Sequence, residues 1–486
     1  MALLCAVAAN SVVYGVITVL RYYAYNAAIL DLGVASQLLY STMHGGVSWP
    51  LFVGRQLSLN RPIYLILGPL YDLFPFQPLL VVSQAFWISV GAIPLFGISM
   101  KYLHREWMAL MISISYLLYY PLGGVMWFDF HFMALFPTLF LLSVYFYLSG
   151  HPRLSYGFIL LAIATDYLVP LIAIFYSFYV WFSARRELGF NPLKNRLAMA
   201  ILATGIVEFA IVTAYLGLSF LGNTITLPAI RQVSIPDKVY FLLRMMLPVL
   251  FVCLLAPEIM VMAIPYAGLA LHNNYLPYVT TMFYQYPSLI APIIFVSTAK
   301  GISRLMSIVS KYGKRVIFVC KQSVTAVLAL NLVLMMFLTP AGQLLTGNAG
   351  MGYLIQLSGS GSTYNSLSDI TVHKYDSYIS KEISLVPYGS TILVPNNIPQ
   401  VTQNYNWYIS DGFNHSLRPQ YILMDPYNAF SNWQTVSPTT PPDDSFINVT
   451  DFLLSTGSYG TLAEMDGITL YEHNYNGTPV YYIPIS

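Results

Sequence analysis

Charge is what this sequence most conspicuously lacks. Only 9% of its 486 residues are Asp, Glu, Lys or Arg, where a soluble domain carries roughly 25%. With 57% hydrophobic residues and a mean hydropathy of +0.62, an ordinary soluble chain is excluded and a polytopic membrane protein is indicated. Cysteine is nearly absent as well. Cys5, Cys253 and Cys320 all fall in or beside apolar runs, so neither a disulfide framework nor a Cys-based metal site is available. No P-loop, Rossmann fingerprint, zincin motif or nucleophile elbow occurs, and nothing suggests nucleic-acid binding. The N-terminus has no basic region and no A-x-A-like site. Met1 to Leu20 therefore reads as a first spanning helix rather than a cleavable signal.

The charges that are present are unevenly placed. Residues 341–486 hold 3 basic groups (Lys374, Lys381, Arg418) against 11 acidic ones, a net of −8, whereas the first 340 residues hold 19 against 9, a net of +10. Such a split predicts two domains in two compartments. Residues 1–340 are expected to form a polytopic transmembrane domain, and 341–486 a soluble one, with 341–363 and its G-S-G-S as linker.

Apolar runs near 2–20, 79–100, 107–124, 132–149, 155–183, 197–220, 240–271, 287–303 and 316–339 are candidate spans. Short basic loops stay cytoplasmic, and the clusters are Lys101/Arg105, Arg153, Arg185/Arg186/Lys194/Arg196 and Lys300/Arg304/Lys311/Lys314/Arg315. Keeping all of them on one side requires 155–183 to fold as a hairpin with its apex near Asp166. The same reasoning breaks 240–271 near Ala256-Pro257-Glu258. Eleven spans result, with a cytoplasmic N-terminus and an extracytoplasmic tail in the plasma membrane. Sequons at Asn414, Asn448 and Asn476, with none before residue 341, agree with that orientation and are candidate glycosylation sites. The tail's runs 390–395, 420–425, 467–472 and 479–484, with a helical stretch near Asp451–Ser455, predict a small α/β or mostly β domain resting on its own apolar residues.

On this topology, polar groups collect on the outer side. The first loop, Arg21 to Pro62, carries Arg21, Asp31, Gln37, His44, Arg55 and Arg61; Asp72 follows. The next outward turn is W-F-D-F-H, in which Asp129 and His131 alternate around Phe130 and can point the same way. Such a pair can hold a divalent ion or pass a proton, or it can be a helix cap beside an interfacial His. Asp166 lies in strongly apolar sequence, where a carboxylate is a functional candidate by default, though it can also cap the hairpin. Asp31 can likewise be a cap of a short interfacial helix. Arg231, Lys238 and Arg244 are outer-side cations suited to a phosphate headgroup, or to snorkelling. The loop Y-Q-Y-P, with Gln285 and Tyr286, completes the set.

Several motifs together resemble a known family, the predicted membrane proteins of domain of unknown function 2079. They are D-L-G-x-x-x-Q at Asp31–Gln37, H-G at His44-Gly45, P-L-Y at Pro69–Tyr71, F-D-F-H at Phe128–His131, D-P-Y at Asp425–Tyr427 and D-G-I-x-L at Asp466–Leu470. That family in turn resembles GT-C-type glycosyltransferases. The resemblance implies an all-α polytopic fold with an extracytoplasmic C-terminal domain. It implies a polyprenyl-phosphate-linked sugar donor and a glycan, lipid or protein acceptor. It also implies a first-loop Asp that works in catalysis or metal binding. On it, Asp31, Asp129, His131 and Asp166 are the candidate catalytic groups. Gln37, His44, Arg231, Lys238, Arg244, Gln285 and Tyr286 are candidate substrate contacts. Asp31, Asp129 and His131 are candidate ligands of a divalent ion, Mg or Mn. The sequence departs from the family pattern in lacking a His at Leu59–Pro62, in having Thr165-Asp166 where Glu-Asp is common, and in having Gln285-Tyr286 where His-Tyr is common. A transporter or lipid flippase and a catalytically inert envelope scaffold are the alternative readings.

Overall fold

The computed structural model describes residues 1–44, 61–188, 195–216, 234–272, 284–310, 316–342, 367–410, 413–427 and 445–484. The first part is helical: α1 (Ala2–Tyr23), α2 (Val34–His44), α3 (Tyr64–Asp72), α4 (Gln77–Val90), α5 (Ala92–Leu103), α6 (Glu106–Leu117), α7 (Tyr120–Trp127) and α8 (Phe136–Leu148). There follow α9 (Pro152–Ile163), α10 (Val169–Leu188), α11 (Arg196–Leu216), α12 (Ile235–Met246), α13 (Ile264–His272), α14 (Ala291–Ser310) and α15 (Val316–Leu338).

Among the described residues, five helical stretches are long and apolar enough to cross a bilayer: Ala2–Tyr23, Gln77–Leu103, Arg196–Ala214, Tyr286–Val309 and Lys321–Leu338. The pair α6 and α7, bent by 44°, is long and apolar enough only when taken together, as a broken span or a re-entrant loop. The bend falls where Pro121, in the first turn of α7, cannot donate to the ladder that α6 would continue. Along α1 the residues Leu4, Val12, Val13 and Val16 remain exposed. In water that would be costly, but an apolar outer face is what a lipid solvent requires. α4 and α5 run on through Gly91, where a Cβ would come within 2.7 Å of the Tyr116 hydroxyl and 2.8 Å of Thr138 Oγ1.

The run 155–183 does fold back on itself, as α9 and α10, with Asp166 in the intervening turn. The run 240–271 is broken more extensively than the expected single break at Ala256–Glu258. Its helix begins at Ile235, and the first interruption comes at Pro248, with Leu250 and Phe251 in the left-handed region (φ 52° and 57°). Short helical turns follow over Val252–Leu255, Pro257–Met260 and Val261–Ala263 before α13.

The tail is a six-stranded mixed sheet with helices α16 (Asp376–Ile383) and α17 (Phe446–Ser455). Its strands are β1 (Thr391–Leu393), β2 (Asn406–Tyr408), β3 (Tyr421–Met424), β4 (Tyr459–Met465), β5 (Ile468–His473) and β6 (Tyr481–Ile483), in the order β2-β1-β3-β5-β4-β6. The four strand-like runs of the sequence are β1, β3, β5 and β6. β2 and β4 had no such signal. Of the expected linker 341–363, Ala341 is buried against the helical core and residues 343–363 lie outside the described residues.

One expectation is corrected here. The tail does not rely on its own apolar residues alone. Tyr25, Ile29 and Val34 of the first loop share one buried cluster with Ile379, Val401, Trp407 and Leu470 of the tail. The seam is also hydrogen-bonded. Asn396 O accepts from Ile29 N (2.7 Å) and Asn396 Oδ1 from Leu30 N (3.1 Å), while Gln77 Nε2 donates to Pro399 O (2.8 Å) and Gln403 Nε2 to the Tyr71 hydroxyl (2.6 Å). The sheet domain is therefore clamped onto the end of the bundle that carries the first loop.

Candidate active site

Asp31 lies in a π-helical turn, Ile29–Gly33, immediately before α2. Such turns are rare and concentrate at functional sites. Both ends of this one are held from outside. Asn396 of the tail takes the amides of Ile29 and Leu30, and Gly33 packs so closely on Thr402 that a Cβ would sit 2.7 Å from its methyl group. Asp31 is 28% exposed, the one carboxylate of the group that opens to solvent.

The facing wall is the turn after α7. Gln84, fully buried on α4, shapes it: its amide donates to the carbonyls of Val125 (2.8 Å) and Phe128 (3.0 Å), and its Oε1 accepts from His131 N (2.9 Å). Asp129 and His131 both turn toward the first loop, as alternation about Phe130 requires. Asp129 takes Arg21 Nη1 at 2.6 Å and Ala28 N at 2.7 Å. His131 Nε2 lies 3.1 Å from Asp31 Oδ1, and His131 Nδ1 lies 3.0 Å from the Asp129 carbonyl. A carbonyl only accepts, so Nδ1 carries a hydrogen. Nε2 is then the ring nitrogen that faces Asp31.

Asp166 is fully buried in the α9–α10 turn. Its Oδ1 accepts from Leu168 N (3.0 Å), and its Oδ2 faces Arg61 Nε at 3.8 Å. Behind the His131 wall, Tyr284 packs edge-on against Phe128 (4.8 Å between centroids), which stacks on His131 (5.4 Å). Gln285 and Tyr286 follow it and are buried; the side-chain oxygen of Gln285 has no hydrogen-bond partner among the described residues.

The structure therefore brings together Asp31, His131 and Asp129, with Arg21 as the cation of Asp129; Asp166 faces Arg61 in the neighbouring α9–α10 turn. Several other sequence candidates lie elsewhere. His44 is on the far end of α2, stacked on Tyr40 and 3.3 Å from Asp72. Gln37 accepts the indole N–H of Trp407 (3.2 Å) and so belongs to the seam with the tail. The ammonium of Lys238 donates to the Leu271 carbonyl at the end of α13 (3.0 Å). Arg244 stacks over Tyr240 (5.5 Å), and its carbonyl accepts from Tyr120 at the start of α7. That is a helix length, about 12 Å, from the Asp129 turn. Arg231 lies outside the described residues. Asn414, Asn448 and Asn476 are all exposed.

The expected three-ligand metal set does not fit this geometry. Both oxygens of Asp129 are taken, by Arg21 and by Ala28 N, and among the described residues no three His, Cys, Asp or Glu groups gather closely enough to hold an ion. Sequence reasoning missed Gln84 and the partners of Asp129 and Asp166. A Gln deep in an apolar run, and arginines at loop ends facing two buried carboxylates, were the signals available.

No curated protein matches the chain. Among solved structures, the fold is similar to that of ArnT from Cupriavidus metallidurans bound to undecaprenyl phosphate. The identity is 12%, the TM-score 0.55, and the match covers 96% of this chain and 97% of that one. The apo state of the same protein gives a TM-score of 0.51 at 12% identity, over 95% and 97% of the two chains. The fold is thus ArnT-like over nearly its whole length, as the GT-C resemblance implied. A family model described as "Predicted membrane protein (DUF2079)" matches residues 21–470, and the chain belongs to that family of integral membrane proteins.

Proposed function

We propose that the protein transfers a sugar from a polyprenyl-phosphate-linked donor to an acceptor hydroxyl on the extracytoplasmic side. The observation that carries this reading is the Asp31–His131 pair, 3.1 Å apart, at the one partly open carboxylate of a buried ionic cluster. The ArnT-like fold supports the same class of reaction. Asp31 takes the proton of the acceptor hydroxyl as its oxygen attacks the anomeric carbon. The sugar–phosphate bond breaks, and polyprenyl phosphate leaves. His131 orients Asp31 and stabilises its charge. Arg61, loosely held at 3.8 Å by Asp166, is the cation that meets the donor phosphate in this reading, where fixed positive charge stabilises a leaving phosphate. The chain crosses the membrane eleven times in this reading, with the N-terminus cytoplasmic and the tail outside.

The test is an assay of purified protein with undecaprenyl-phosphate-linked sugars, wild type against Asp31→Asn. Asn is nearly isosteric but cannot accept the proton, so transfer should fall by about 10²–10⁴-fold with the fold retained. Wild-type activity in Asp31→Asn would remove the assignment.

A further inference from the structure

A second polar site lies at the opposite end of the bundle. The helices define its place. α8 begins beyond the His131 turn and α10 beyond the Asp166 turn, and both reach the second site near their ends, at Leu148 and Arg185; α14 reaches it midway, at Lys300 and Arg304. From Asp166 to Arg185 along α10 the separation is about 25–30 Å at helical rise. The cavity there has a volume of about 330 Å³ and is lined by Tyr102, Tyr179, Arg185, Glu258, Lys300 and Arg304.

Its charge is unbalanced. Arg304 Nη2 pairs with Glu258 Oε1 at 2.9 Å, and its Nη1 donates to the Leu255 carbonyl at 2.7 Å, so these two groups neutralise each other. Arg185 and Lys300 are left without a carboxylate among the described residues. Each rests on a ring face instead, Arg185 on Phe182 (3.4 Å) and Lys300 on Tyr102 (4.8 Å). Arg185 Nη1 is buried with no hydrogen-bond partner there, and a buried unsatisfied cationic donor is costly unless an anion meets it. Basic side chains that merely snorkel reach outward to water. These two, from α10 and α14, instead converge on one concavity.

We infer that this cavity binds a phosphate-bearing group, held by Arg185 and Lys300, and that the group is the headgroup of an anionic phospholipid. The phosphate chemistry follows from two unpaired cations, one with a fork of donors suited to phosphate oxygens. The lipid source follows from the apolar part of the lining, where Leu148 and Ile259 stand beside Phe182, which is 44% exposed. A headgroup attached to acyl chains can satisfy both surfaces; a free phosphate satisfies only one. This inference is independent of the proposed transfer reaction and concerns a site a full helix length from it.

The experiment uses the delipidated full-length protein in a nonionic detergent, titrated with short-chain phosphatidylglycerol or with phosphatidylcholine of the same chain length. Inorganic phosphate and pyrophosphate form a third arm. The anionic lipid should bind at least about tenfold more tightly than the zwitterionic one, and Arg185→Gln/Lys300→Gln should lose about that factor. The charge-keeping Arg185→Lys/Lys300→Arg variant should retain it. Lys300→Gln alone serves if the double variant does not fold, since its ammonium meets only a ring face. Competition by free phosphate at the same residues would keep the anion site but overturn the lipid assignment. Equal binding of the two lipids, or equal binding by wild type and the Gln variants, overturns the site.

Discussion

Arg21 Nη1 lies 2.6 Å from Asp129 Oδ1, with the two side chains 3% and 1% exposed. This buried pair joins the end of α1 to the turn after α7 and holds that turn against the first loop. Its importance is asymmetric. A buried ion pair adds little net stability over an apolar substitute, but removing one partner strands a charge and costs about 3–5 kcal/mol. Asp129→Ala should therefore destabilise the protein by that amount, and Arg21→Met added to it should recover a large part. Thermal unfolding in detergent measures both. A double variant no better than Asp129→Ala would show that the pair is not what holds the turn.

The tail should be a positioning element for Asp31 rather than an independent module. Gly33→Val places new carbons against Thr402, where even a Cβ comes within 2.7 Å. It is expected to unseat the segment that holds the Ile29 and Leu30 amides. Hydrogen exchange at residues 28–33 should rise, with the bundle helices unchanged. Trp407→Phe, which removes the bond to Gln37 and leaves part of a fully buried indole site empty, should cost more than the roughly 1 kcal/mol of that bond alone. Unaltered exchange in Gly33→Val would mean that the first loop holds its shape alone.

Glu382 on α16 makes the tail's stability depend on pH. It is fully buried, and among the described residues neither carboxylate oxygen has a hydrogen bond of normal geometry. Burial pushes its carboxyl from 4.5 up to about 9, with the neighbouring charge of Glu464 acting in the same direction and the Met465 N–H opposing. The folded tail thus keeps a proton that the unfolded chain releases. The stability is fully present below the unfolded value of 4.5 and is lost as pH rises toward 9, by at most about 1.4 kcal/mol per pH unit. Melting temperature should fall from pH 5 to pH 8 in the wild type, and Glu382→Gln should flatten that slope. An unchanged slope in the variant assigns the dependence to another group.

Orientation is testable without any assay of transfer. With the tail outside, protease added to intact cells should cut the exposed surface around Asn414 and Asn476. Single cysteines placed near Lys101 or Arg153 should resist membrane-impermeant labelling until lysis. The opposite pattern would reverse the topology.

Much of this molecule is written in local pattern. Low charge and long apolar runs determine a polytopic membrane protein, because a helix in lipid needs only its own hydrogen bonds and apolar side chains. The turn at Asp166 follows from where the arginines lie, and four of six tail strands follow from short β-branched and aromatic runs. The family motifs mark Asp31, Asp129 and His131 without saying which partner each one meets. Tertiary structure decided that. Asp129 is separated by 108 residues from Arg21, and its commitment to that cation depends on how α1 and α7 pack. Gln37 and Gln77 look like loop and interface residues until Trp407 and Pro399, more than 300 positions away, arrive to pair with them. β2 and β4 are strands because neighbouring strands supply their partners, a contact that no window of sequence contains. The division has one physical cause: solvation by lipid acts on each segment separately, whereas ion pairs, seams and sheets are made between segments that only the fold brings together.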